Sequence, residues 1–95
     1  MATTPEGTVK AKVKKLLEAY ECYYFMPVQN GMGSPTLDFL GCHSGRFFSI
    51  ETKAPGKKPT PRQEVTIKKI QLAKGPAFVI DGDLSALELW LKEGT

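Results

Sequence analysis

The sequence predicts a small α/β domain in which helices flank a mixed sheet, in the order α-β-β-β-α-β with a short helix at the C-terminal end. Three observations lead there. Two segments repeat apolar residues at helical spacing behind a proline in the first-turn position. Four runs rich in aromatic and β-branched residues are bounded by Gly and Pro. No internal repeat, linker or low-complexity stretch interrupts them. A chain of 95 residues has room for one domain, spanning residues 1–95, and no second. A globule of this size buries about 60–65% of its unfolded surface, so the core is expected to be thin.

The first helix opens with Thr4 as cap and Pro5 in its first position. Val9, Val13, Leu16, Leu17 and Tyr20 form one apolar stripe, while Lys10, Lys12, Lys14 and Lys15 lie around the other faces. Glu6, three residues before Val9, sits at the N-terminal end of the inward face. The run from Cys22 to Val28 is a strand ended near Pro27, and residues 29–36 (QNGMGSPT) are a loop. Leu37 to Cys42 and Arg46 to Lys53 pair as a hairpin around a turn at His43-Ser44-Gly45. The sheet breaks at APGKKP. Thr60, Pro61 and Gln63 then open a second helix with a Thr-x-x-Gln capping box, whose inward side carries Gln63, Ile67 and Ile70 and which closes at Gly75. Pro76 to Asp81 is a strand. A last helix starts at Asp83 or Ser85 and turns Leu84, Leu87, Trp90 and Leu91 inward.

Hydrophobic residues at 41% and charged residues at 24% match a soluble globular protein and exclude disordered and fibrous classes. No apolar run reaches the roughly 18–20 residues that span a bilayer, and the N-terminus lacks an apolar signal core. No membrane partner and a cytoplasmic location are therefore expected. Thirteen Lys and Arg against ten Asp and Glu give +3, a balance that permits nucleic acid without requiring it. Cys22 and Cys42 are expected as reduced, buried thiols, since two cysteines build no disulfide framework and no Cys/His cluster suggests zinc. His43, the one histidine, reads as a turn residue rather than a catalytic base.

The chemistry concentrates in the hairpin. Alternate strand residues share a face, so Phe48, Ile50 and Thr52 point one way and Phe47, Ser49, Glu51 and Lys53 the other. Asp38 and Leu40 share a face of the preceding strand, and pairing around the turn brings Asp38 close to Glu51. Two carboxylates beside an ammonium suit metal-assisted phosphodiester hydrolysis: the acids hold a hard divalent cation, and the lysine orients water or stabilises charge on the phosphorane. An acid-x-Lys triplet arises about once by chance in this composition. The specific signal is its conjunction with an upstream aspartate, in a hairpin, between two helices. Taken singly, Glu51 and Lys53 are a salt bridge, Asp38 a strand-end carboxylate, Glu6 a partner of the helix dipole, and Gln63 the other half of a capping box.

The ordered set of Glu6, Asn30-Gly31-Met32-Gly33, Asp38-Phe39, Gly45-Arg46-Phe47, Ile50-Glu51-Thr52-Lys53, Pro59-Thr60 and Gln63 resembles the PD-(D/E)XK nuclease superfamily. More narrowly it resembles the small stand-alone virus-type replication-repair nuclease (VRR-NUC) domain of phages and prophages. The similarity runs from about Pro5 to Asp81. It implies a restriction-endonuclease-like core and a Mg²⁺ or Mn²⁺ site formed by Asp38, Glu51 and the backbone carbonyl of Thr52. It further implies that Lys53 serves the attacking water, that Glu6 completes or supports the metal site, and that Gln63 lies beside it. One departure is Leu37, where the family usually has proline immediately before the aspartate.

From Lys53 to Lys69 six basic residues face one acid, Glu64. Lys57, Lys58 and Arg62 are candidates to contact phosphates flanking the scissile one, and Lys14 belongs to a second candidate stripe. Tyr23, Tyr24 and Phe25 read as core strand rather than a base-stacking platform. The resemblance implies a structure-specific DNA endonuclease acting on four-way (Holliday) junctions as a homodimer, in the bacterial host cytoplasm if phage-encoded. The segment Cys22 to Phe25 and the last helix around Trp90 are the candidate dimer faces. The alternatives are a monomeric flap or nicking nuclease, a general DNase, a non-catalytic nucleic-acid-binding module of the same fold, and a protein–protein adaptor.

Overall fold

The computed structural model describes residues 4–28 and 33–94. Its elements are α1 (Pro5–Ala19), β1 (Tyr23–Phe25), β2 (Phe39–His43), β3 (Arg46–Thr52), α2 (Pro61–Leu72), β4 (Ala77–Ile80) and α3 (Ser85–Glu93). The order is the one the sequence patterns predict, and the result is an α/β fold with a four-stranded mixed sheet. The strands lie in the order β1-β2-β3-β4. The first three pair antiparallel, and β4 joins β3 in parallel after the crossover through α2.

Local chemistry explains the boundaries. Thr4 Oγ1 accepts from Gly7 N–H at 2.9 Å and caps α1, behind Pro5. Thr60 and Gln63 form the reciprocal capping box of α2: Gln63 N–H donates to Thr60 Oγ1 at 3.2 Å, and Thr60 N–H to Gln63 Oε1 at 2.9 Å. The hairpin turn is shorter than the sequence suggests. His43 still pairs with Arg46, and Ser44 (φ 53°) and Gly45 (φ 76°) make a two-residue turn whose left-handed conformations match the twist of the strands. The first strand is also shorter, three residues rather than seven, because Pro27 cannot donate to a ladder. At the end of α2 the left-handed residue is Lys74 (φ 70°) and not Gly75. Of the two expected starts the last helix takes Ser85, with Leu84 as its cap residue, and the Asp83 carboxylate accepts from the Ser85 N–H and hydroxyl just ahead of it.

The core lies on the Phe48–Ile50 face of the sheet. Val9, Val13 and Leu17 of α1 and Leu87 and Leu91 of α3 pack there against Phe39, Phe48, Ile50 and Ile80. Gly41 is required beneath this layer, since a Cβ would collide with the Phe48 ring and the Tyr23 carbonyl. The opposite face takes α2, with Thr66 and Ile67 buried, and α2 leaves part of the β1–β2 half uncovered. Tyr23 and Phe25 are therefore exposed, correcting their expected place in the core. Cys42 departs from its expected burial for the same reason and is exposed, whereas Cys22 is half-buried, packed against the core cluster on the other face. Leu37, at the position where the resemblance expects proline, is wholly buried. No helix among the described residues is long and apolar enough to cross a membrane.

Candidate active site

The hairpin register builds the centre. Phe39 pairs with Ile50, so Asp38 lies one step further, opposite Glu51. Asp38 is fixed from the end of β3: its Oδ2 accepts from the Thr52 N–H at 3.0 Å and from the Thr52 hydroxyl at 2.6 Å. Glu51 sits on the α2 face of β3 and is 2% exposed. Its Oε2 lies 3.8 Å from Lys53 Nζ, while its Oε1 is buried with no hydrogen-bond partner. Burial first, then repulsion from Asp38 and Glu6, pushes the Glu51 pKa from 4.5 to about 7, against the opposing pull of Lys53 and the Asp38 backbone N–H. Desolvation dominates because a buried carboxylate loses more hydration than one ammonium at this distance returns.

The first helix adds a second charge pair. Glu6 Oε2 and Lys10 Nζ are 3.5 Å apart across one helical turn, and Lys10 Nζ also lies 4.0 Å from Asp38 Oδ1. Three carboxylates and two ammonium groups thus form one chain, from Glu6 through Lys10 and Asp38 to Glu51 and Lys53, with the like-charged Asp38 and Glu51 side by side at its centre. Lys10 was legible only as one of several helix lysines. Its spacing of four from Glu6 is the signal that singles it out. The Thr52 side chain is a second residue that sequence reasoning missed, since its hydroxyl bond to Asp38 depends on register. Gln63 has its amide oxygen in the helix cap, as a capping box requires.

The donor set can be tested for a divalent ion. Among the described residues no group of three or more His, Cys, Asp or Glu comes together as a metal cage. A Mg²⁺ ion keeps several waters and takes one or two carboxylates together with substrate phosphate, and Mn²⁺ likewise suits carboxylate and water. The Asp38–Glu51 pair, with one buried carboxylate oxygen unsatisfied, meets that smaller requirement.

The candidate phosphate contacts are outside the centre. Lys14, Lys57, Lys58 and Arg62 are all exposed. The loop carrying Lys57 and Lys58 turns where Lys57 N–H donates to Ala54 O at 3.0 Å, and it follows directly on Lys53. The two candidate dimer faces differ. Tyr23 and Phe25 are open to solvent, whereas Trp90 packs edge-on against Phe48 and Phe78 and is covered by the Arg46 guanidinium 4.0 Å from its ring. No family model matches this chain, and neither a curated protein nor a solved structure does so.

Proposed function

We propose that this protein is a Mg²⁺- or Mn²⁺-dependent DNA endonuclease of the PD-(D/E)XK kind, similar to stand-alone VRR-NUC domains, and that it resolves four-way junctions as a homodimer. The observation that supports this best is the Glu51 carboxyl group: buried, with one oxygen unpartnered, beside Asp38 and 3.8 Å from Lys53. A purely structural ion pair satisfies its buried oxygens, because each one left bare costs about 1–3 kcal/mol. A site that awaits a cation leaves one open.

In this reading Asp38 and Glu51 hold the ion, with the Thr52 carbonyl as a further ligand and Glu6 in support. The bound ion supplies Lewis-acid polarisation of the phosphate and acidification of the attacking water. Lys53, its side chain 12% exposed, donates to that water or to a phosphate oxygen. Thr52 holds Asp38 in place through two hydrogen bonds. Lys57, Lys58, Arg62 and Lys14 bind flanking phosphates, and Gln63 fixes the start of α2 through its capping box. One centre cuts one strand, so paired incisions need two copies of the chain.

The test is to incubate the protein with Mg²⁺ or Mn²⁺ and labelled four-way junction, flap and linear duplex, alongside Lys53→Met and Asp38→Asn. Paired symmetric cuts on the junction that both substitutions abolish are expected. Cleavage of flaps alone replaces the resolvase by the monomeric flap nuclease, and tight metal-independent binding without cuts refutes the enzyme. Light scattering gives the dimer its own check.

A further inference from the structure

We infer a second binding site in the cleft between α2 and the uncovered half of the sheet, where one unpaired nucleotide places its base in an apolar trough and its phosphate against two lysines. The cleft has a volume of about 760 Å³, within the range of pockets that take a small ligand. Its lining joins the apolar Leu40, Phe47 and Ile70 to the cationic Arg46, Lys69 and Lys74. Its described lining contains no carboxylate.

That combination specifies the ligand chemistry. A lining that joins apolar side chains to cations favours a flat or apolar group that carries negative charge. Phe47 is 44% exposed and presents an aromatic surface on which a base can stack. Arg46 is engaged elsewhere, over the Trp90 ring and to the Trp90 carbonyl at 3.0 Å. Lys69 and Lys74 have no ion-pair partner among the described residues, so they are the cations left for a phosphate. The nearby end of α2 does not oppose it: the carbonyls of Lys69, Ile70 and Gln71 already accept from Ala73, Gly75 and Lys74 N–H at 2.9–3.1 Å. A second copy of this chain fits less well. A symmetric contact presents the same patch from both partners, and a lining with three cations and no carboxylate offers its copy no opposite charge.

Position ties the cleft to the proposed centre, on whose nuclease reading this inference rests. Phe47, Ser49 and Glu51 alternate along one face of β3, which puts Phe47 about 13 Å from Glu51 at 3.3 Å per residue. That is roughly the rise of four stacked nucleotides, and fewer of an extended strand. Thr36, two residues before Asp38, lines the same cleft. A strand cut at Glu51 therefore reaches Phe47 within a few nucleotides, and an unpaired base near the cut can be held there.

The experiment separates binding from cleavage. In EDTA, the anisotropy of a labelled oligothymidylate and of a blunt duplex of equal length is measured with the wild type, Phe47→Ala, Phe47→Tyr, and the double variant Lys69→Glu/Lys74→Glu. Amide chemical shifts are followed on adding thymidine 5′-monophosphate or oleate. Expected are preference for the single strand, about tenfold weaker binding in Phe47→Ala with recovery in Phe47→Tyr, and a salt slope lower by about 0.7 in the double variant, for the one phosphate the two lysines share. The nucleotide should shift the amides of Phe47 and Ile70. Unchanged affinity in Phe47→Ala, shifts confined to α1 or the Lys57–Lys58 loop, or occupancy of the cleft by oleate but not by nucleotide each overturns the inference. A wild type that binds in this way yet cuts no DNA refutes the nuclease reading and leaves the site standing.

Discussion

Replacing Glu51 with glutamine should stabilise the metal-free protein at alkaline pH and leave it nearly unchanged at pH 5. The side chain is 2% exposed, and its pKa is pushed up from 4.5 to about 7. A carboxyl group that holds its proton more tightly when folded contributes stability that is complete below about pH 4.5 and is lost as the pH rises through about 7. At 1.36 kcal/mol for each pH unit between those values, the loss approaches about 3 kcal/mol at pH 8. Glutamine mimics the protonated acid in shape and leaves Lys53 in the same unpaired state, so it carries none of that pH dependence. Urea unfolding in EDTA at pH 5, 6, 7 and 8 measures the difference directly. Glu51→Gln should lie within about 1 kcal/mol of wild type at pH 5 and exceed it by about 2–3 kcal/mol at pH 8. Added Mg²⁺ should close the gap by stabilising the wild type alone. A difference that stays flat with pH, or a variant weaker than wild type at pH 8, would refute the argument that burial dominates this carboxylate.

Two further substitutions probe the groups around it. Lys10→Met removes the ammonium between Glu6 and Asp38 and should cost the apo protein about 1 kcal/mol. The same change should raise Mn²⁺ affinity about fivefold by calorimetric titration, since the cation no longer displaces a bound charge; weaker Mn²⁺ binding would make Lys10 a support of the site rather than a competitor. Thr52→Val deletes the hydroxyl bond to Asp38 while the backbone N–H remains. A loss of about 1–3 kcal/mol in urea unfolding is expected, and unchanged stability would show that this buried bond does not anchor Asp38.

Much of the fold was legible because its signals are local. Thr4-Pro5 and Thr60-Pro61 with Gln63 start helices through bonds made within four residues. Alternation along β3 sorted Phe48 and Ile50 from Phe47 and Glu51, and the registers agree. The misses share a different cause. Tyr23, Phe25 and Cys42 have strand-forming or apolar side chains, yet their burial depends on whether a helix covers them, and α2 leaves part of that face uncovered. Composition carries no information about where a crossover helix comes to rest.

For the candidate site the division is similar. The sequence by itself determined the element order, the shared face of Glu51 and Lys53, and the neighbourhood of Asp38, because a period of two and a tight turn leave little freedom. Only the tertiary structure decided that Glu51 is desolvated with one bare oxygen, that Thr52 holds Asp38, and that Lys10 joins Glu6 to it. The apolar cleft, with two lysines that have no ion-pair partner among the described residues, also emerged only there. Desolvation and ion pairing depend on what other segments bring within a few ångströms, and those distances are set when helices and sheet pack.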